Sequence, residues 1–208
     1  FSQYADYFKL DFLKQMIWNY MKWFHNQNCI TLCPSVETEK LLNQNGISNT
    51  GIFSRGIDSK RFNTDYRNES LRRKLGIENK TTFLYVGRVS YEKDLDILNE
   101  SYKAIKGKYG DEVALVITGE GPYLERCKKI FPQDTIFTGF KKGMELSELY
   151  ASCDIFVCPS STETFGNVVL EAMTSGLAVI GADAGGIKEI IRHKHNGIKF
   201  KARDAGQL

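Results

Sequence analysis

The sequence lacks an apolar run of the about 20 residues that a membrane-spanning helix needs, and it lacks the pattern of a cleaved secretion signal. We therefore expect a cytoplasmic protein. It also lacks a strong excess of charge of either sign, because its formal net charge is +3 over 208 residues and the charges are spread along the chain. This balance gives no electrostatic argument for nucleic-acid binding, and it leaves acidic small ligands open.

Cysteine and histidine are scarce. The five cysteines form an odd set without a Cys-x-x-Cys pair, which argues against a disulfide framework and against a zinc site. We interpret them as unreactive, mostly buried thiols: Cys29, Cys33, Cys127, Cys153 and Cys158. We expect surface or packing roles for the three histidines, His25, His193 and His195.

The distribution of apolar residues changes near residue 80. Residues 4–24 carry aromatic and aliphatic side chains at helical spacing, and short strands are predicted at 29–33 and 51–53, around a helix capped by Ser35. The polar stretch 63–70 is typical of a linker. We assign residues 1–60 to the remnant of a first α/β domain, 61–80 to a linker and 81–208 to a second domain.

The second domain has a regular alternation of strands and helices. Its strands are nearly continuous apolar runs, which is typical of a parallel sheet covered on both faces. They are predicted at 83–86, 113–117, 136–138, 155–158 and 178–181, and the helices at 93–109, 123–130, 146–152, 167–175 and 187–192. The pattern indicates an α/β fold with a doubly wound, Rossmann-like parallel sheet and right-handed crossovers.

The aromatic helix at 4–24 has two interpretations. Its tryptophans, Tyr20 and several lysines suit a membrane interface, and would give a peripheral contact on the inner face of a membrane. The preferred interpretation is a helix packed within the first domain.

In an open parallel sheet the ligand lies beyond the carboxyl ends of the strands. The loop after the first of these strands contains Gly87, Arg88 and Lys93, where two cations flank the start of a helix. A guanidinium, an ammonium and a helix N-terminus all favour an anion. The alternative is a solvated charged loop.

A pair of glycines follows the next strand. Gly119 and Gly121 begin like a dinucleotide fingerprint, but Leu124 stands where the third glycine belongs, so a nicotinamide enzyme is disfavoured. The pair indicates either a tight turn or the close approach of a ligand.

Small and polar residues from Pro159 to Asn167 precede a helix that contains Glu171. The free amides at the start of this helix predict an anion site. Glu163 lies in the loop, where it either contacts a ligand or stabilises the helix start. Glu171 interrupts an apolar helix, so it needs a partner. Eight residues apart, the two carboxylates can each bind hydroxyl groups in one crevice.

Taken together, these residues resemble glycosyltransferase family four, whose members have two doubly wound domains facing a cleft, the GT-B fold. The matching segments are Ser54-Arg55-Gly56-Ile57-Asp58 with Phe62, Val86-Gly87-Arg88 with Glu92-Lys93, Gly119-Glu120-Gly121-Pro122, the pair Glu163 and Glu171 in a Glu-x7-Glu signature, and Gly185-Gly186. The second domain then corresponds to the C-terminal, donor-binding domain of the fold. Residues 1–60 then correspond to part of the acceptor domain.

The resemblance implies roles for these residues. Arg88 and Lys93 would hold the diphosphate of a nucleotide sugar, with Gly87, Gly119 and Gly121 in the adjoining loops. Glu171 would bind the ribose and Glu163 the transferred sugar. The amide groups of Thr164, Phe165, Gly166 and Asn167 would contact sugar and phosphate.

The resemblance also implies a retaining hexosyltransferase, with α-mannosyltransferases and glycolipid glycosyltransferases as the nearest types. The donor would be GDP-mannose or UDP-glucose, the acceptor a lipid or saccharide, and no further cofactor would be needed. Asp94-Leu95-Asp96 has the spacing of a metal-binding Asp-x-Asp, but we interpret it as a pair of charges at a helix start, so no metal is expected.

The family's acceptor domain starts well before Phe1, and the turn-like sequence before Leu208 suggests a second cut. We therefore expect a fragment that binds the donor without transferring sugar. The alternatives are a nucleotide-sugar epimerase and a non-catalytic nucleotide-binding module. A phosphorylase lacks support because no pyridoxal lysine site is visible, and a paired-carboxylate glycosidase would leave the phosphate loops unexplained.

Overall fold

A small parallel sheet forms the first part of the chain. The computed structural model describes residues 11–53 and 56–208, and in it β1 (Thr31–Cys33) pairs in parallel with β2 (Thr50–Ile52). Helix α1 (Asp11–Asn26) precedes β1, and α2 (Val36–Gln44) joins the two strands. The predicted cap of α2 is confirmed, since the Ser35 hydroxyl accepts from the N–H of Thr38.

Two predictions extend beyond the described residues. The first part of the predicted helix 4–24 and the residues Ser54 and Arg55 of the predicted turn lie outside them. Neither α1 nor any other helix in the described part of the chain has the length and apolar content to cross a bilayer.

The predicted linker is not an extended polar segment. It contains a 3-10 turn (Thr64–Tyr66) and α3 (Glu69–Leu75), which packs against the large sheet. Arg72 anchors α3, because its guanidinium is buried and donates to the carbonyl oxygens of Ser152 at 2.7 Å and Ile77 at 2.9 Å. In the sequence, a buried arginine that donates to carbonyl groups cannot be distinguished from an arginine exposed to solvent. The polar composition of this stretch therefore predicted a linker.

A six-stranded parallel sheet forms the second part of the chain, in the order β5-β4-β3-β6-β7-β8. Its strands are β3 (Thr81–Val86), β4 (Val113–Thr118), β5 (Ile136–Gly139), β6 (Ile155–Cys158), β7 (Ala178–Ala182) and β8 (Ile198–Phe200). Its helices are α4 (Leu95–Tyr109), α5 (Leu124–Ile130), α6 (Gly143–Ala151), α7 (Asn167–Thr174) and α8 (Ile187–Ile190). The predicted doubly wound α/β architecture is confirmed, and β8 is an additional strand.

Apolar side chains cover both faces of this sheet. Leu84 and Phe156 belong to a core beneath α6 and α7, while Tyr85 and Val157, their neighbours along the strands, belong to a core beneath α4 and α5. Successive side chains of a strand point to opposite faces, so burial on both faces explains the nearly continuous apolar runs.

Four of the five cysteines are buried, in line with the prediction: Cys127, Cys153 and Cys158 belong to these two cores, and Cys33 lies on β1 of the small sheet. Burial raises the pKa of Cys127 to about 11 and those of Cys153 and Cys158 to about 12. Cys29 is exposed. The buried thiols are therefore held in their protonated, unreactive form at neutral pH.

The winding of the chain reverses between β3 and β6. From β3 the chain proceeds to β4 and β5 on one side, then crosses to β6, β7 and β8 on the other. The loops that follow β3 and β6 therefore diverge, and such a switch point opens a crevice at the carboxyl edge of the sheet.

Candidate active site

The loop after β3 presents a cation to this crevice. The hydroxyl of the buried Tyr85 donates to the carbonyl oxygen of Arg88 at 2.9 Å, which fixes the backbone of the loop. The Arg88 side chain is 65% exposed, and its guanidinium lies 3.9 Å from the carboxylate of Glu92. A loose pair of this kind leaves Arg88 able to turn toward an anion.

The two predicted glycines bring the loops after β3 and β4 into backbone contact. Gly119 has φ +134°, and a Cβ there would collide with the carbonyl oxygen of Gly87. A Cβ on Gly121 would collide with the carbonyl oxygen of Val89. Hydrogen bonds from Gly87 N to Thr118 O at 3.0 Å and from Val89 N to Glu120 O at 2.9 Å join the same loops. The glycines thus allow the close approach of a neighbouring loop.

Lys93 and Glu163 meet across the crevice. The Nζ of Lys93 lies 2.7 Å from Oε2 of Glu163, and both side chains are largely buried, at 18% and 23% exposed. The loop after β3 and the loop after β6 are therefore bridged by an ion pair made of two predicted site residues.

The two aspartates next to Lys93 have separate partners. Asp94 has φ +52°, and its Oδ2 accepts from the N–H of Ser161 at 2.8 Å and from its hydroxyl at 2.6 Å. Asp96 accepts from the hydroxyl of Tyr123 at 2.7 Å. Asp94 therefore ties the turn that carries Lys93 to the loop that carries Glu163.

The loop from Glu163 to Asn167 packs on the turn before α8. The N–H of Gly186 donates to the carbonyl oxygen of Glu163 at 2.8 Å, and a Cβ on Gly186 would collide with the carbonyl oxygen of Thr164. Gly166 has φ +92° and is the N-cap residue of α7. Within the described residues, the amide groups of Thr164 and Phe165 donate to no acceptor of the chain, which suits the predicted anion contacts.

Among the described residues, Glu171 is hydrogen-bonded to a hydroxyl group. The hydroxyl of Tyr150, which is fully buried, donates to Oε2 of Glu171 at 2.9 Å. Burial raises the pKa of Glu171, and the hydrogen bond from Tyr150 opposes this shift in part. The tyrosine orients the carboxylate without neutralising it, so the carboxylate can still accept from the hydroxyl groups of a ligand.

A cavity of about 380 Å³ lies at the carboxyl ends of β3, β4 and β5. Four of the predicted residues line it: Gly87, Arg88, Gly119 and Glu171. Thr118, Phe140, Lys141, Leu146 and Val168 also line it and were not predicted. Phe140 is 64% exposed and directly follows the end of β5, a position that the rule on carboxyl-end loops could have selected. Gly121, Lys93 and residues 163–167 are not among the lining residues.

The arrangement suits a ligand that combines an anion, hydroxyl groups and an apolar part. Arg88 and the free amide groups are able to donate to an anion, and the carboxylates of Glu163 and Glu171 are able to accept from hydroxyl groups. The side chains of Leu146, Val168 and Phe140 form an apolar wall.

The chain is similar to proteins of known family. The profile of the family described as Glycosyl transferases group 1 matches residues 67–208. Over 200 residues the chain is 37% identical to the sulfoquinovosyl transferase SQD2 of Arabidopsis thaliana, covering 93% of the chain and 38% of that protein. Over 195 residues it is 36% identical to a GDP-mannose-dependent alpha-mannosyltransferase of Mycobacterium tuberculosis, covering 94% of the chain and 50% of that protein.

The solved structures confirm the predicted GT-B fold. The crystal structure of Anabaena Alr3699/HepE in complex with UDP and glucose superposes with a TM-score of 0.75 at 23% identity, over 86% of the chain and 51% of that protein. The chain thus spans half or less of the length of the two curated relatives.

Proposed function

Because the chain belongs to the Glycosyl transferases group 1 family, we propose that its crevice binds a nucleotide-diphosphate sugar and forms the donor half of a retaining glycosyltransferase. One observation carries the proposal: Lys93 and Glu163, from the loops after β3 and β6, are paired at 2.7 Å, and the cavity at the carboxyl ends of β3, β4 and β5 is lined by Arg88 and Glu171. A cation for phosphate and two carboxylates for hydroxyl groups therefore converge at the switch point of the sheet.

Each proposed role follows from the charge and position of the side chain. Arg88 and Lys93 bind the diphosphate and stabilise the negative charge that develops on it when the bond to the sugar breaks. Glu171, oriented by Tyr150, accepts from the ribose hydroxyl groups. Glu163 accepts from hydroxyl groups of the transferred sugar, and the free amides of Thr164 and Phe165 donate to the sugar or phosphate.

In the proposed retaining reaction the acceptor attacks on the face from which the diphosphate departs, and the leaving phosphate helps to take up the acceptor's proton. Glu163 then positions the sugar and is not a nucleophile. The cations and amides supply the stabilisation of the leaving group, so the proposal includes no metal.

We propose a hexose donor, GDP-mannose or UDP-glucose, and a lipid or saccharide acceptor. The name of the mycobacterial relative supports GDP-mannose as the donor. The UDP and glucose in the HepE complex support UDP-glucose instead. For a lipid acceptor, the relevant feature is α1, which exposes Phe12, Met16, Tyr20 and Trp23 and would contact a membrane surface peripherally.

We propose further that these 208 residues bind the donor but do not transfer sugar on their own. Aligning the donor with the acceptor can lower the activation barrier by about 7 to 11 kcal/mol. The relatives are longer than this chain, and we assign acceptor binding to their additional residues. Donor affinity is expected to be modest, in the range of tens of micromolar to millimolar, or about 4 to 6 kcal/mol.

The test is to incubate the chain, and the longest natural protein that contains it, with radiolabelled GDP-mannose or UDP-glucose and with lipid and sugar acceptors, each with and without EDTA. We expect binding by both proteins, transfer by the longer one, and no effect of the chelator. Turnover without an acceptor would instead indicate an epimerase. Nucleotide binding without any turnover by the longer protein would indicate a non-catalytic module.

A further inference from the structure

A serine of the small unit, the described residues 11–53, reaches the loop that carries Glu163 in the large unit, residues 56–208. Ser35 is 3% exposed, and its Oγ lies 3.0 Å from the carbonyl oxygen of Thr164. Because a carbonyl oxygen can only accept, the Ser35 hydroxyl is the donor in this bond. The same Oγ lies 3.2 Å from the N–H of Thr38 and 2.8 Å from its hydroxyl. Its proton is therefore committed to Thr164, and its lone pairs are occupied by α2.

A carboxylate of the large unit holds α2 in this position. Glu189, on α8, accepts from the N–H groups of Val36 at 3.1 Å and Glu37 at 2.8 Å. These belong to the first-turn N–H groups that have no partner within a helix, and a carboxylate is favoured at that end by the helix dipole. The first turn of α2 is thus attached both to α8 and to the loop after β6.

A second contact confines the same loop. The turn at Gly185 and Gly186 contacts its backbone so closely that a Cβ at either glycine would collide with a carbonyl oxygen of the loop, that of Glu163 or that of Thr164. The glycine turn and Ser35 therefore both contact the backbone of this loop at Thr164.

The orientation of this peptide determines what it can bind. A trans peptide directs its C=O and its N–H to opposite sides, and this peptide is trans. With the carbonyl of Thr164 held by Ser35, the N–H of Phe165 points away from the small unit. That N–H has no acceptor among the described residues.

We infer that Ser35 is a positioning residue of the donor site: it fixes the Thr164–Phe165 peptide so that the Phe165 N–H is directed to an oxygen of the sugar-bearing donor. The inference rests on the proposed function and extends it, because it makes the small unit part of the donor site. Through Ser35, the acceptor side of the fold controls the geometry of the sugar-binding loop.

The test compares Ser35→Gly with Ser35→Thr in the full 208-residue chain. Glycine preserves the start of α2 and removes the hydroxyl, whereas threonine restores a donor. We expect Ser35→Gly to weaken binding of UDP-glucose or GDP-mannose by about tenfold and binding of UDP or GDP by no more than about twofold, with recovery in Ser35→Thr. Isothermal calorimetry measures all four ligands.

The matched control is Ser147→Ala, which removes another buried serine hydroxyl, one that donates to the carbonyl oxygen of Gly143 at 3.2 Å. It should leave the ratio of the two affinities unchanged. Equal losses of sugar nucleotide and free nucleotide in Ser35→Gly would indicate a merely structural role and overturn the inference. A wild-type chain that binds none of the four ligands would overturn the proposed function as well.

A spectroscopic measurement covers the case in which Ser35→Gly does not fold. In NMR spectra of the wild-type chain, the chemical shift of the Phe165 amide should change more on addition of the sugar nucleotide than on addition of the free nucleotide. A Phe165 resonance that is indifferent to both ligands, while binding occurs, contradicts the inference.

Discussion

The ammonium of Lys93 and the carboxylate of Glu163 are 2.7 Å apart, although 70 positions separate them in the chain. Under the proposed function, the cation assigned to the diphosphate is thus already paired with the carboxylate assigned to the sugar. Donor binding then exchanges partners: phosphate takes over Lys93, and Glu163 becomes available to hydroxyl groups of the sugar. The pair holds both groups in place before the ligand arrives, so less ordering is required on binding.

Charge reversal at Arg88 or Lys93 should weaken binding of a nucleoside diphosphate far more than binding of the nucleoside. Each residue is proposed to make charged hydrogen bonds to phosphate, worth about 1.5 to 3 kcal/mol, or about 10- to 100-fold in affinity. Calorimetry with UDP, GDP, uridine and guanosine measures the difference. Lys128→Glu is the control, since Lys128 is an exposed lysine paired with Glu125 on α5. Equal losses for nucleoside and diphosphate would contradict the assignment.

The two glutamates should have separable effects. Glu171→Gln should weaken UDP or GDP and the sugar nucleotide alike, because its proposed contact is the ribose. Glu163→Gln should mainly reduce the preference for the sugar nucleotide over the free nucleotide. Calorimetric titration of both variants with both ligands tests this, and the reverse pattern would exchange the two roles.

The raised pKa of Glu171 predicts a pH dependence of stability. In the folded chain Glu171 retains its proton above its ordinary pKa of 4.5, so over that window the folded state binds more protons than the unfolded state. The free energy of unfolding therefore falls as pH rises from the ordinary pKa through the raised one. Glu171→Gln should remove this loss, and Tyr150→Phe should enlarge it, because it deletes the bond that stabilises the carboxylate.

Urea denaturation of the three proteins between about pH 4 and about pH 8 measures this effect. The nucleotide affinity of the wild type relative to Glu171→Gln should rise over the same window, since the ionised carboxylate is the better acceptor. A stability difference between these two proteins that does not vary with pH would show that Glu171 has no raised pKa.

Gly119→Ala should disrupt the contact between the loops after β3 and β4. The new Cβ would collide with the carbonyl oxygen of Gly87 at a backbone φ of +134°, so we expect a loss of stability of about 1 to 3 kcal/mol and weaker nucleotide binding. Gly107→Ala, in open space on α4, should instead stabilise the chain by about 0.5 to 1 kcal/mol. Thermal denaturation compares the two, and equal effects would refute the proposed contact.

Arg72→Met should destabilise the chain by about 3 to 5 kcal/mol, because it leaves the carbonyl groups that the guanidinium satisfies without donors in a buried position. The neighbouring Arg73 is exposed, so Arg73→Met should change the free energy of unfolding by less than about 0.5 kcal/mol. Chemical denaturation of both variants tests whether α3 belongs to the folded large unit. A wild-type stability for Arg72→Met would show that α3 behaves as a linker.

The sequence was sufficient to predict the strands that are buried on both faces, because their apolar runs are nearly continuous; the bounds of β6 match the prediction for 155–158. It was insufficient for β8, a short edge strand with a lysine at its centre. It was also insufficient for α3, a helix of seven residues in which Leu71 and Leu75 pack against the core but the fully buried residue is a charged arginine. Elements this short give a weak periodic signal, and hydrophobic periodicity does not detect a buried arginine that is bonded to carbonyl groups.

In the candidate site, too, the sequence identified some residues and missed others. Loops after strands could be identified from the order of elements, and this placed Arg88, Lys93, Glu163 and Glu171 near one edge. Their partners could not be identified, because Tyr150 reaches Glu171, and Ser35 reaches Thr164, only through the packing of distant elements. The site roles of these residues stay predictions until the variants above are measured.

The distribution of cysteine exposure makes the chain suitable for site-selective labelling. Among the described residues Cys29 is the exposed thiol, while the other four are buried. A maleimide dye should therefore attach to Cys29 in the folded chain without any engineered substitution. Cys29 lies two residues before β1, on the small unit, and a second dye on the large unit would report the distance between the two units as donor or acceptor is added.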